Sequence, residues 1–171
     1  MKPLRLPQAT VIGDSETDEA TYQMGEKIGQ ILAELSFTVI TGGRGGIMEA
    51  VSKGAHDNGG TVVGILPGSD LSQANPYCHI VIPTGMGHTR NALTTLAADV
   101  VVAVGGGAGT LSEITFAWLY HKPILALTGK SGWADELAGT RLDQRRIDLI
   151  LPCYSLEDLQ QELTQISDNF G

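Results

Sequence analysis

Two side chains in this sequence combine reactive chemistry with an informative setting. Arg90 follows the glycines of Gly85-Met86-Gly87-His88-Thr89-Arg90-Asn91, and Glu113 ends the run Gly105-Gly106-Gly107-Ala108-Gly109-Thr110-Leu111-Ser112-Glu113. A guanidinium at a helix start is badly placed for the helix macrodipole and better employed facing a phosphate or carboxylate. Arg44, with glycines on both sides, invites the same argument. His88 can carry a proton or serve as a hydrogen-bonding wall residue. Glu113 stands three residues after Thr110 in T-x-x-E. That spacing admits a capping box for its own helix, or a carboxylate available for acid–base work. The glycines themselves are a candidate anion site. A phosphate reaches backbone N–H groups only where no Cβ intervenes, and a tight turn can demand positive φ.

These residues must be held by strands and helices. Val100 to Val104 is apolar and β-branched, the pattern of a strand buried on both faces, and a helix follows from Thr110. Strand, glycine turn, helix presents a helix N-terminus to an anion. Further strands are expected at Ala9–Ile12, Phe37–Thr41, Thr61–Leu66, His79–Pro83 and Pro123–Leu127, with a last short one at Ile147–Leu151. Helical spacing covers Asp18–Leu35, Ile47–Asn58, Thr89–Ala98 and Leu156–Ile166, the last capped by Ser155. Ser69–Tyr77 and most of Gly129–Arg146 read as loop. Alternating strands and helices predict one doubly wound α/β domain over residues 1–171, with a mostly parallel central sheet. Ligands in such sheets bind beyond the strand C-termini, where strand order reverses. Three glycine-bearing exits follow strands: Gly13-Asp14-Ser15, Gly42 to Gly46, and Gly105 to Gly109. Their convergence on one crevice is the simplest arrangement.

Composition narrows the function. Lys+Arg 11 against Asp+Glu 19 gives a net charge of −8, which argues against general nucleic-acid or anionic-membrane binding. An anionic ligand therefore needs a local positive pocket. Two cysteines make no disulfide framework, the histidines and cysteines show no metal-ligand spacing, and no apolar run suits a membrane span or an export signal. The expectation is a cytoplasmic protein with no protein-ligated metal. There is no P-loop lysine and no G-x-S-x-G nucleophile elbow, and the glycine spacing is not the dinucleotide fingerprint. Trp118, Leu119 and Tyr120 near the end of one helix cannot all be buried by one side of it, which points to at least a dimer.

The ordered set Thr41-Gly42-Gly43-Arg44-Gly45-Gly46-Ile47-Met48-Glu49-Ala50, Gly64-Ile65-Leu66-Pro67-Gly68, Gly85 to Asn91, and Gly106 to Glu113 resembles the Rossmann-like LOG superfamily over nearly the whole chain. Two branches bear on function: LONELY GUY-type phosphoribohydrolases, which activate cytokinins, and molybdenum cofactor carrier proteins with their bacterial relatives. The hydrolases carry P-G-G-x-G-T-x-x-E and an E-R-K segment, whose arginine and final glutamate act in catalysis. This chain keeps those two as Arg90 and Glu113. It departs at Gly105 for the proline, Asn91 for the lysine and Thr89 for the first glutamate. The G-x-G-x-x-R-N form is closer to the carrier branch. The resemblance therefore implies a carrier that binds and protects the molybdenum cofactor, a phosphorylated pterin. The expectation of a homodimer or homotetramer rests more on this resemblance than on the helix end. The residues it implies for the ligand are Gly13, Asp14, Ser15, Gly43, Arg44, Gly45, Gly46, Gly85, Met86, His88, Arg90, Gly106, Gly107, Ala108, Gly109, Thr110 and Glu113. The alternatives are a nucleoside 5′-monophosphate phosphoribohydrolase, with Arg90 and Glu113 catalytic, and a nucleotide-sensing module with a protein output.

Overall fold

The computed structural model describes residues 5–170. Its strands are β1 (Gln8–Gly13), β2 (Thr38–Thr41), β3 (Val62–Leu66), β4 (Ile80–Pro83), β5 (Val100–Val104), β6 (Ile124–Leu127) and β7 (Leu151–Cys153). Its α-helices are α1 (Glu19–Glu34), α2 (Ile47–Asp57), α3 (Asn91–Leu96), α4 (Ala108–Leu119), α5 (Trp133–Leu137) and α6 (Leu156–Ser167). The strands form one sheet in the order β4-β3-β2-β1-β5-β6-β7, and every pair is parallel. The doubly wound α/β architecture expected from the alternation is the one observed.

Strand order reverses between β1 and β5. Their register, from Ala9 opposite Val100 to Gly13 opposite Val104, ends both strands at the same level. The two glycine exits therefore open side by side. All five β5 residues are buried, because helices cover both faces. On one face Ile28 and Leu32 of α1, Val51 of α2 and Leu159 of α6 pack with Val11, Val102 and Val104. On the other, Ile114 and Trp118 of α4 and Ala134 of α5 pack with Ile12, Val101 and Ala103.

Helix α1 and helix α2 meet backbone to backbone. A Cβ on Gly29 would run into the Val51 carbonyl oxygen, and one on Gly54 into the Glu26 carbonyl oxygen. Asp18 caps α1, its carboxylate accepting from the Thr21 N–H at 2.7 Å, and Ser155 caps α6 as its spacing suggested.

Three expectations need correction. The last strand is Leu151–Cys153, not Ile147–Leu151. The Ile150 N–H donates to the Thr140 carbonyl at 3.0 Å, and its own carbonyl accepts from Gly139 at 2.8 Å, so its backbone is committed before the sheet begins. Just ahead of it Arg146 is buried over the Trp118 ring at 4.6 Å and donates to the Lys122 carbonyl. The helix placed at Thr89–Ala98 is a 3₁₀ turn, Gly87–Arg90, running into α3. Finally, the stretch after Gly129 holds the short helix α5, which braces the glycine turn after β5: the N–H groups of Trp133 and Ala134 donate to the Gly106 and Gly105 carbonyls, each at 3.0 Å.

Trp118 is absorbed by its own domain, its Nε1 donating to Asp143 at 2.9 Å. Leu119 stays exposed.

Candidate functional site

A cleft of about 330 Å³ lies above the C-terminal ends of β1, β2 and β5. Gly13, Gly42 and Gly107 bring one residue from each of the three glycine exits to its wall. Asp14, Ser15, His88, Arg90, Ala108, Gly109, Thr110 and Glu113 join them, as do Met48 and Asn91. A second cavity of about 530 Å³ adjoins it and shares Ser15, Met48, His88 and Arg90, adding Glu16, Arg44, Gly45, Pro67 and Gly87. Of the residues singled out from the sequence, Gly43, Gly46, Gly85, Met86 and Gly106 line neither.

The turn after β5 is built by backbone conformation. Gly105 has φ +55 and Gly106 φ +95, both in the left-handed region. Gly107 then takes an extended conformation as the residue before α4, with no side-chain cap. The N–H groups of Ala108, Gly109 and Thr110 therefore lack intrahelical partners. A Cβ on Gly107 or Gly109 would meet no protein atom within 4 Å. The Gly106 N–H instead donates to Asp14 Oδ2 at 2.9 Å, tying the β1 exit to the β5 exit.

Because α4 begins at Ala108, Thr110 is its third residue and cannot be the cap. The capping-box reading of Thr110 and Glu113 is therefore overturned. Glu113 turns toward α3, where Oε1 accepts from Thr94 Oγ1 at 2.9 Å. Burial pushes its carboxyl up to about 7, against the opposing pull of the Thr94 hydroxyl and the Arg90 charge.

Arg90 is buried, and its guanidinium is largely spent on backbone. Nη1 donates to the carbonyls of Gly42, at 2.9 Å, and Ile65, while Nε donates to Asn91 Oδ1 at 3.3 Å. It thus pins the ends of β2 and β3. Nη2 makes no hydrogen bond among the described residues. Burial draws the guanidinium below its usual value, with Glu113 acting against that and Arg44 adding to it.

Asn91 and Thr94 were not read as site residues. Asn91 Nδ2 donates to Ser112 Oγ at 2.8 Å, joining α3 to the first turns of α4. The signal was present: Asn91, Thr94 and Thr95 put three polar residues on one side of a short helix, and all three are buried.

The model of the SLOG cluster4 family matches residues 6–154. The chain belongs to that family. It lies within the LOG-like Rossmann superfamily, as its motifs implied. This SLOG protein is 44% identical over 125 residues to an uncharacterized protein of Archaeoglobus fulgidus, across 72% of this chain and 82% of that one. It is 35% identical over 135 residues to a probable cytokinin riboside 5′-monophosphate phosphoribohydrolase of Oryza sativa, across 73% of this chain but only 54% of the relative. The chain thus spans about half the length of that hydrolase. The solved structure of the Moco carrier protein from Chlamydomonas reinhardtii matches with a TM-score of 0.80 at 30% identity, covering 95% of this chain and 98% of that one.

Proposed function

We propose that this SLOG protein binds the molybdenum cofactor, a phosphorylated pterin, in the cleft and holds it without transforming it. The observation that carries the reading is the open N-terminus of α4. The N–H groups of Ala108, Gly109 and Thr110 have no partner among the described residues and lie at the cleft wall, where Gly107 and Gly109 carry no side chain. A phosphate group suits that arrangement. The likeness to a carrier protein along almost the full length of both chains supports the choice of ligand.

The turn also argues against hydrolysis. Gly105 stands where the hydrolase motif has proline, and its φ of +55 is one that proline cannot adopt. The loop is therefore a different backbone conformation, not the hydrolase loop with one side chain exchanged. Asn91, in place of lysine, bonds to Ser112 and offers no charge to a substrate.

A second reading, nucleoside 5′-monophosphate phosphoribohydrolase, draws on one observation. Glu113 is a carboxyl in the cleft wall with a pKa near that of a working general base, about 7. One experiment separates the two. Purified molybdenum cofactor is expected to bind and be protected from oxidation, while adenosine monophosphate and its N6-modified analogues release no base. Turnover of about one per second, lost in both Glu113→Gln and Arg90→Ala, would establish the hydrolase instead.

Self-association belongs to the same proposal. Leu93 and Leu96 of α3 and Leu119 of α4 leave apolar surface exposed. Light scattering is expected to give at least twice the monomer mass at micromolar concentration, and a monomer mass would refute it.

A further inference from the structure

The two adjoining cavities share Arg90 but differ in what else they offer. The smaller has the open end of α4. The larger has Arg44, exposed beside Gly45 in the turn after β2. Arg44 makes no ion pair and no side-chain hydrogen bond among the described residues. Arg90, 9% exposed, also makes no ion pair within 4 Å among them, and its Nη2 is undirected. The acidic side chain on the larger cavity, Glu16, reaches neither guanidinium at ion-pairing distance. Two guanidiniums thus line one cavity with no carboxylate at ion-pairing distance from either among the described residues, in a chain with net charge −8. Burial draws Arg90 below its usual value, Glu113 opposes that from the smaller cavity, and Arg44 is near enough to add to it. Like charges set together around a cavity cost free energy until an anion lies between them. Such a pair is suited to a tetrahedral oxyanion, which can accept from the Arg44 fork and from Arg90 Nη2.

We propose that the ligand is two-headed: one phosphate sits at the N-terminus of α4, and a second oxyanion sits between Arg44 and Arg90 in the larger cavity, past His88. This rests on the reading that the cleft holds a phosphorylated ligand. It adds that the ring system spans from one cavity to the other, with an anionic group at each end. A second phosphoryl group and a metal-oxo group share that chemistry.

Tungstate is the probe for the subsites themselves. Titrated calorimetrically and located by its anomalous signal in crystals, it is expected at two positions per chain, one at Ala108–Thr110 and one between Arg44 and Arg90. Arg44→Ala should lose the second and keep the first; Gly107→Val should do the reverse. Arg44 is exposed and makes no side-chain bond among the described residues, so its variant is expected to keep the wild-type melting temperature, and Arg44→Lys should keep part of the binding. The source of the second anion is read with paired ligands: adenosine 3′,5′-bisphosphate against adenosine 5′-monophosphate, and complete molybdenum cofactor against its metal-free pterin. In the pair that matches the true ligand, Arg44→Ala should weaken the two-headed member about tenfold and leave the other unchanged. One tungstate per chain, at α4 alone, overturns the two-headed ligand even if pterin binds. Two tungstates with no pterin binding overturn the carrier reading and leave the second subsite standing. An Arg44→Ala variant that binds both members of each pair as wild type does also overturns it.

Discussion

Two turns in this protein look alike in sequence and differ in use. After β2 the chain reads Gly42-Gly43-Arg44-Gly45-Gly46, and after β5 it reads Gly105-Gly106-Gly107-Ala108-Gly109; each joins a buried strand to a helix. At the first, the glycines admit other backbone. A Cβ on Gly46 would strike the Asp14 carbonyl oxygen, and one on Gly43 would lie 2.9 Å from Leu66. The Asp14 carbonyl accepts from the Ile47 N–H at 3.0 Å, so the start of α2 is closed by the β1 exit crossing over it. At the second, Gly105 and Gly106 shape the turn while Gly107 and Gly109 face open space. The acids differ in the same sense. Glu49, in the first turn of α2, accepts from the Tyr22 hydroxyl at 3.2 Å. Glu113, one turn further into α4, is held in the cleft wall with its carboxyl pushed up to about 7. A glycine cluster before a helix is therefore a packing device in one place and a ligand approach in the other. What separates them is whether a neighbouring strand exit fills the space.

Four substitutions can break or sharpen this contrast. Gly46→Val is expected to act on the fold. It combines φ +64 with a collision against backbone, and should cost about 3 kcal/mol or more in urea unfolding. Mild destabilisation would mean that the first turn is as open as the second.

Glu113→Gln comes next, and it should stabilise the protein at neutral pH. The folded carboxyl titrates near 7, above its ordinary 4.5, so the native state holds the proton more tightly than the unfolded chain. Wild-type stability should therefore fall as pH rises from about 4.5 to 7 and level off beyond. The glutamine variant should lack that slope and gain on the order of 2 kcal/mol at pH 8. A loss of stability instead would mean that the native state favours the ionised carboxylate.

Gly107→Val should leave the melting temperature within a degree or two of wild type and weaken phosphate-bearing ligands at least about tenfold. Unfolding at lower temperature with unchanged binding would reverse the assignment of the two turns. The smallest effect belongs to Asp14→Ala, which removes the acceptor for the Gly106 N–H and should cost about 1 kcal/mol in thermal unfolding.

The sheet was legible because its signal is composition. Val100 to Val104 is apolar throughout, and only a strand covered on both faces needs that. The start of α1 was legible within a residue because Asp18 caps it with its own side chain. The start of α4 was less so: Thr110-x-x-Glu113 imitates a cap, while the real boundary residue, Gly107, has no side chain to announce it. The role of Arg90 was half legible. Its setting marked it as an arginine that faces something, but the Gly42 and Ile65 carbonyls it holds come from two other strand ends, 48 and 25 residues away. No local pattern encodes that meeting. Asn91 was hidden for the opposite reason: it was weighed as a missing lysine and as a mark of the carrier branch, and its bond to Ser112 depends on how α3 lies against α4.

The interlock of α1 with α2 has a mechanical consequence. Where Gly29 and Gly54 let two backbones touch, neither helix can slide or tilt without carbonyl oxygens colliding with chain atoms. That half of the molecule is a fixed jaw, and it carries the Asp14, Arg44 and Met48 side of the cleft. The opposite side is the start of α4, with the 3₁₀ turn Gly87–Arg90 and the six-residue helix α3 beside it. The 3₁₀ turn and α3 are the short elements on that side, so breathing that admits a ligand is expected between Thr84 and Leu96. Amide exchange should accordingly be slowest in the middle of α1 and α2 and fastest around Gly85–His88, with ligand slowing the second group and not the first.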